Sequence, residues 1–170
     1  MRYSPDTCAC FTGHRAMTED ELKRASENTE RHIEELYAKG VVNYYVGGAI
    51  GFDLAAAVTL LNMRGRYPLL TLNIAIPCPD HMKRWSPAER ELFGRVLSRA
   101  DSVCTVSDEY HRGCMQKRNR YMVDRSSVCI AYMRECKGGT FDTVKYAKKR
   151  GLKVVNLAPS PCGEQICLDL

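Results

Sequence analysis

Val46-Gly47-Gly48-Ala49-Ile50-Gly51-Phe52-Asp53 lies between a β-like run, Asn43 to Val46, and an alanine- and leucine-rich stretch from Leu54 to about Arg64. Strand, glycine turn and helix in that order leave backbone N–H groups and the positive end of a helix dipole facing one point, which favours phosphate or carboxylate. Gly138-Gly139-Thr140 is placed the same way, after the run Ser127 to Tyr132 and before Phe141 to Arg150. In open α/β sheets ligands bind outside the carboxyl ends of the strands, near the point where strand order reverses. The glycine turns therefore predict a fold and a site together.

Outward from these turns the pattern repeats. Thr7 to Thr12 reads as a first buried strand ending in Gly13-His14-Arg15. Thr18 with Glu21 forms a capping-box pattern for a helix with an apolar stripe through Leu22, Ala25, Ile33 and Leu36, stopped at Gly40. The helix from Leu54 is apolar nearly all round and is expected to be buried or to face a second subunit. Leu69 to Ile76 reads as the next strand, and Ser86-Pro87-Ala88-Glu89 opens a helix whose inner face is Leu92, Phe93, Val96 and Leu97. Ser102 to Val106 and Lys153 to Leu157 read as strands, and the basic, aromatic segment Tyr110 to Arg125 as partly helical. This alternation predicts a Rossmann-like α/β domain, an open and mainly parallel sheet with helices on both faces and right-handed crossovers.

At 170 residues the chain fits a single domain, with its core at about 7–157 and a peripheral tail over 158–170. The net charge of +5 is modest and no long run of like charge marks a nucleic-acid tail, which leaves weak affinity for polyanions. The start of the chain has no apolar signal segment, and no stretch approaches the roughly 18 apolar residues of a membrane span, so a cytoplasmic location is expected. Nine cysteines is an odd number in a chain rich in ordinary core residues, which argues against a disulfide scaffold. Cys8, Cys10, Cys104 and Cys129 fall in strands and are expected to act as small buried hydrophobes. Cys162 and Cys167 lack the spacing of common zinc sites, and no metal site is expected.

Four loops fall at strand carboxyl ends: Gly13-His14-Arg15, Gly47 to Asp53, Pro77 to Trp85 and Gly138 to Thr140. Each has a plain reading as a tight turn, but together they bring His14, Arg15, Asp53 and Thr140 to one sheet edge. Arg15 offers a planar fork to a phosphate. Thr140 offers a hydroxyl to the same group while capping its helix. Asp53 suits the helix dipole and equally suits a ribose hydroxyl. Lys117, Arg118, Asn119, Arg120 and Tyr121 combine cations, an amide and an aromatic ring, as a nucleotide or nucleic acid requires, or form a solvated helix face. Glu135, three residues before the glycine pair, is a candidate general base. The turn is neither the GxGxxG dinucleotide fingerprint nor a lysine-bearing P-loop.

Phe11-Thr12-Gly13-His14-Arg15, Gly47 to Asp53, Ile76-Pro77 with Trp85, Lys117 to Asp124 and Gly138-Gly139-Thr140, in that order, resemble the YpsA-like branch of the SLOG (Smf/DprA and LOG-like) superfamily. The resemblance runs from about Phe11 to Asn156 and implies a Rossmann-like fold. The superfamily includes LOG-type enzymes that release a base from a nucleoside monophosphate, DNA-binding DprA proteins, and branches that sense nucleotide-derived ligands such as ADP-ribose. Against the LOG-type motif Pro-Gly-Gly-x-Gly-Thr-x-x-Glu, this chain has Lys137-Gly138-Gly139-Thr140-Phe141-Asp142-Thr143, without the later glycine or the glutamate. Relatives in the YpsA-like branch often carry glutamate a few residues after the Gly-Phe-Asp turn, where this chain has Val58.

The resemblance thus implies a small-molecule ligand: ADP-ribose, NAD or a related nucleotide. Gly47, Gly48, Gly51, Gly138, Gly139 and Thr140 are expected to hold its phosphate and Arg15, Asp53 and Asn119 to orient the remainder. Gly13, His14, Ala49, Phe52 and Arg118 complete the expected ligand-binding set. The alternatives are a nucleotide N-glycosidase using Glu135 or Asp53 catalytically, and DprA-like binding of single-stranded DNA. Self-association into a homo-oligomer is a further implication of the resemblance.

Overall fold

The computed structural model describes residues 3–159. Strands β1 (Cys8–Gly13), β2 (Asn43–Val46), β3 (Thr71–Ile76), β4 (Ser102–Thr105), β5 (Val128–Tyr132) and β6 (Lys153–Asn156) alternate with helices α1 (Glu19–Tyr37), α2 (Phe52–Met63), α3 (Pro87–Leu97), α4 (Cys114–Val123) and α5 (Gly138–Lys149). The six strands form one sheet in the order β4-β3-β2-β1-β5-β6, every neighbouring pair parallel. Ala9 of β1 is in register with Tyr44 on one side and Val128 on the other. Strand order reverses at the β1/β5 pair. The carboxyl ends of those two strands are therefore the topological switch point, where a doubly wound sheet leaves a crevice.

An all-parallel sheet is covered on both faces, so its central strands are mostly apolar, with the buried Asn43 and Asn73 side chains hydrogen-bonded to neighbouring strands. Alternate residues divide accordingly. Ala9, Phe11, Tyr44, Val46, Leu72 and Ile74 pack with the buried sides of α1, α2 and α3. Cys8, Cys10, Tyr45, Ala75 and Cys129 pack with Met122 and Val123 of α4 and Ala147 of α5. Helix α2 is buried on nearly every side, including Phe52, Leu54, Ala57, Leu60 and Leu61. Its apolar surface is used largely within the chain.

Several boundaries differ from expectation for local reasons. β3 begins at Thr71, whose N–H donates to the O of Val42, the residue before β2, while Leu69 is 64% exposed in the turn before it. Cys104 is only partly buried, because β4 is an edge strand with a neighbour on one side alone. α5 starts at Gly138 with Lys137 as its N-cap and no side-chain cap. Thr140 therefore lies inside the first turn and does not cap the helix. The expected peripheral tail begins with Ala158, which is buried; Cys162 and Cys167 lie outside the described residues. Among the described residues no helix is long and apolar enough to cross a membrane.

Candidate functional site

A cleft of about 290 Å³ opens at the switch point, walled by the loop after β1, the glycine turn after β2, the loop after β3, and the first turns of α4 and α5. The glycine turn is shaped by two close approaches. A Cβ on Gly51, at φ 82°, would strike the carbonyl oxygens of His14 and Arg15. The N–H of Phe52 donates to His14 O at 3.1 Å, so the loop after β1 rests on the N-terminus of α2. At Gly47, the Arg118 guanidinium occupies the place of a Cβ, with Asp53 Oδ2 2.8 Å from that point.

Asp53, in the first turn of α2, folds back on its own loop: its Oδ2 accepts the Gly47 N–H at 3.0 Å. Burial pushes its carboxyl up to about 6, against the opposing pull of Arg118, the Gly47 and Ala49 amides, and Arg15. The Arg118 guanidinium is held below its usual range by burial, with Asp53 acting in the other direction. Both residues are 6% exposed. Carboxylate and guanidinium form the floor of the cleft.

A hydrogen-bonded chain fixes the arginine. Arg118 Nε donates to Asn119 Oδ1 at 2.7 Å, Asn119 Nδ2 donates to Thr143 Oγ1 at 2.7 Å, and Thr143 Oγ1 donates to Gly139 O at 2.7 Å. α4 is thereby tied to the first turn of α5, and the guanidinium plane cannot swing freely. Arg118 Nη1 is buried and has no hydrogen-bond partner among the described residues. A Cβ on Gly139 would meet nothing within 4 Å, so the α5 terminus presents an open backbone to the cleft.

His14 ties the two strands of the switch point together. The Arg134 N–H donates to His14 Nε2 at 2.9 Å, and the Arg134 side chain reaches Glu21 Oε1 at 2.8 Å and Ala16 O at 2.9 Å. An accepting Nε2 places the neutral ring's proton on Nδ1. Burial, then the Arg134 charge, holds the His14 pKa below its ordinary value.

Of the expected ligand-binding residues, the cleft brings together Gly13, His14, Arg15, Gly48, Ala49, Asp53, Arg118, Asn119, Gly139 and Thr140. Gly47, Gly51 and Phe52 stand behind the wall and shape it, and Gly138, expected to hold phosphate, opens α5 without lining the cleft. Glu135 does not line the cleft; it is exposed and pairs with Lys137 at 3.0 Å, and that hydrogen bond leads in holding its carboxyl below the usual range. Arg120 stacks over the Tyr146 ring at 5.3 Å, on the far side of α4 from Arg118. Val58 packs against the core in α2.

The loop after β3 adds residues that sequence reading left unassigned. His81 and Trp85 both line the cleft and pack edge-on with Phe93, at ring distances of 5.6 and 5.3 Å. Phe93 in turn lies against Gly48, where a Cβ would come within 2.9 Å of it. His81 Nδ1 donates to Cys78 O at 3.1 Å, and burial holds the ring's pKa low. Trp85 Nε1 is a second buried donor without a partner among the described residues. The signal in sequence was the lone tryptophan in a proline-bounded loop at a strand carboxyl end.

The model of the YspA SLOG family, YpsA, matches residues 10–155. The SPbeta prophage-derived protein YoqJ of Bacillus subtilis (strain 168) is 32% identical over 130 residues, 69% of this chain and 76% of that protein. A UPF0398 protein of Halalkalibacterium halodurans is 27% identical over 140 residues, covering 81% of this chain and 71% of its own length. Among solved structures, DNA processing protein A of Helicobacter pylori, described with a single-stranded DNA binding mode, superposes with a TM-score of 0.66 at 18% identity, over 95% of this chain and 69% of that one. DNA processing protein A (DprA) of Streptococcus pneumoniae gives 0.67 at 19% identity, over 92% of this chain and 51% of its own. At those identities the structures show a shared fold. The family match and the YoqJ relationship go further, and the chain belongs to the YspA SLOG family.

Proposed function

We propose that the switch-point cleft binds a phosphate-bearing, nucleotide-derived ligand, with ADP-ribose, NAD and related nucleotides as the candidates. The observation that carries this reading is Arg118 Nη1, a buried cationic donor with no partner among the described residues. Leaving such a group unpaired is costly, and an anion at that point removes the cost. The N-terminal turns of α2 and α5 converge on the same cleft and add their dipoles. Arg15, exposed at the rim and without a side-chain hydrogen bond or ion pair to another described residue, is available to the same ligand.

The test is thermal unfolding of the purified protein with AMP, NAD and ADP-ribose. A ligand at about 100 times its Kd stabilises the native state by about 2.7 kcal/mol. Gly139→Leu supplies the control, because its side chain enters open space in the cleft and replaces a glycine with a better helix former. The expected result is a ligand shift in the wild type that Gly139→Leu abolishes while keeping or raising the unliganded Tm. A flat panel on the wild type overturns the reading. Asp53, the carboxylate on the cleft floor, already accepts an amide of its own loop, so we assign the site to binding and expect no free base from nucleoside monophosphates.

A second reading rests on a different surface. The groove between α4 and α5, about 460 Å³, meets the cleft at Asn119 and Gly139 and carries Arg120, Lys145, Lys149 and the Tyr146 ring. Cations beside an aromatic platform suit single-stranded DNA, which the Helicobacter pylori neighbour is described as binding. Such binding would weaken steeply with salt. Arg120→Glu with Lys149→Glu would abolish it and leave the nucleotide shift intact.

A further inference from the structure

Beside the cleft lies a second cavity of about 410 Å³, under the loop after β3. Its wall is partly shared: Arg15, His81, Trp85 and Met115 line both spaces. Its other side carries Lys83, Arg84, Asp80 and Tyr110, the last 69% exposed. The side chains of Arg15, Lys83 and Arg84 make no hydrogen bond or ion pair with another described residue. Trp85, which forms the partition, is 5% exposed and keeps its unpartnered Nε1. A partition residue with an unmet buried donor, flanked by uncommitted cations on one side and by Arg118 on the other, suits a ligand that crosses it.

Resting on the nucleotide reading above, we infer that the two cavities are halves of one site, selective for a ligand with two linked anionic centres. A pyrophosphate-bridged nucleotide has that chemistry. One phosphate sits at Arg118 Nη1, the bridge passes Arg15 and Trp85, and the second half lies among Lys83, Arg84 and Tyr110. Asp80 supplies an acceptor for a sugar hydroxyl there, and the Tyr110 ring an apolar face against which the C–H side of that sugar packs. Arg84 and Lys83 are then specificity residues for the length of the ligand. They lie outside the floor of the site and touch none of the groups that hold Arg118 in place.

The experiment is calorimetric titration with AMP and with ADP-ribose. The proteins are the wild type, the double variant Lys83→Ala/Arg84→Ala, and Tyr110→Ala. Charge-assisted contacts in the second half predict that the wild type binds ADP-ribose at least about tenfold more tightly than AMP. The double variant is expected to lose most of that preference while its AMP affinity stays within about twofold. Tyr110→Ala is expected to weaken ADP-ribose alone. Equal wild-type affinity for the two probes, or an equal loss for both in the double variant, overturns the two-centre site and leaves the nucleotide reading standing. Absence of binding by either probe to the wild type overturns both.

Discussion

At Gly47 the constraint comes from a neighbour rather than from the backbone, because the Arg118 guanidinium fills the space of a Cβ. Gly47→Ala must displace either the guanidinium or the turn, and overpacking of this kind costs about 1–3 kcal/mol. Equilibrium urea unfolding is expected to show that loss, and the ligand-induced shift is expected to vanish with it. Asp53 makes a separate prediction on the nucleotide reading. Its pKa of about 6 means that acidification removes a negative charge from the floor of an anion site. Affinity for ADP-ribose, whose bridging phosphates do not titrate in this range, is expected to rise on the order of tenfold from pH 7.5 to 5.5. Asp53→Asn is expected to bind tightly at both values, and a parallel slope in the two proteins would remove Asp53 from the linkage. The glycines and Asp53 were legible in sequence as a turn opening a helix. That Asp53 turns back onto Gly47 N–H was not, since it depends on Arg118, distant in sequence, pressing on the same point.

Among the elements, the local signals were the readable ones. Thr18 and Glu21, like Ser86 and Glu89, form the reciprocal capping boxes that their spacing announced. Thr18→Ala is expected to lower stability by about 1 kcal/mol in chemical denaturation, with the ligand shift unchanged, because α1 positions no group on the cleft floor. The start of α5 was not readable in this way. A helix capped by Thr140 needs the glycine pair outside it, whereas Gly138 takes φ 80° and the helix begins there, after Lys137. Gly139 and Thr140 are consequently wall residues of the first turn. The loop after β3 shows the same limit. Its prolines marked an ending strand, but only packing on Phe93 of α3 turns His81 and Trp85 toward the cleft.

Over the whole molecule, alternation of strands and helices dictated a parallel sheet but left the strand order open, because a right-handed crossover can place the next strand on either flank. The order that forms brings β1 beside β5, and His14 binds their exit loops together through Arg134. Stability should therefore report the titration of the site. His14 and His81 have pKa values lowered by folding from an ordinary 6.5, so the unfolded chain binds their protons more readily. Their contribution is complete above pH 6.5 and is lost as pH falls through their folded values. Asp53 acts in the opposite sense: with its pKa raised from 3.8 to about 6, the folded state holds that proton more tightly and gains stability as pH falls between those values. His14→Gln retains an acceptor for the Arg134 N–H without a titrating ring and is expected to lose less stability than the wild type between pH 7 and 5. Asp53→Asn, which removes the opposing gain, is expected to lose more. Urea unfolding of the three proteins across that range measures both slopes, and identical slopes would detach the switch point from the pH dependence of the fold.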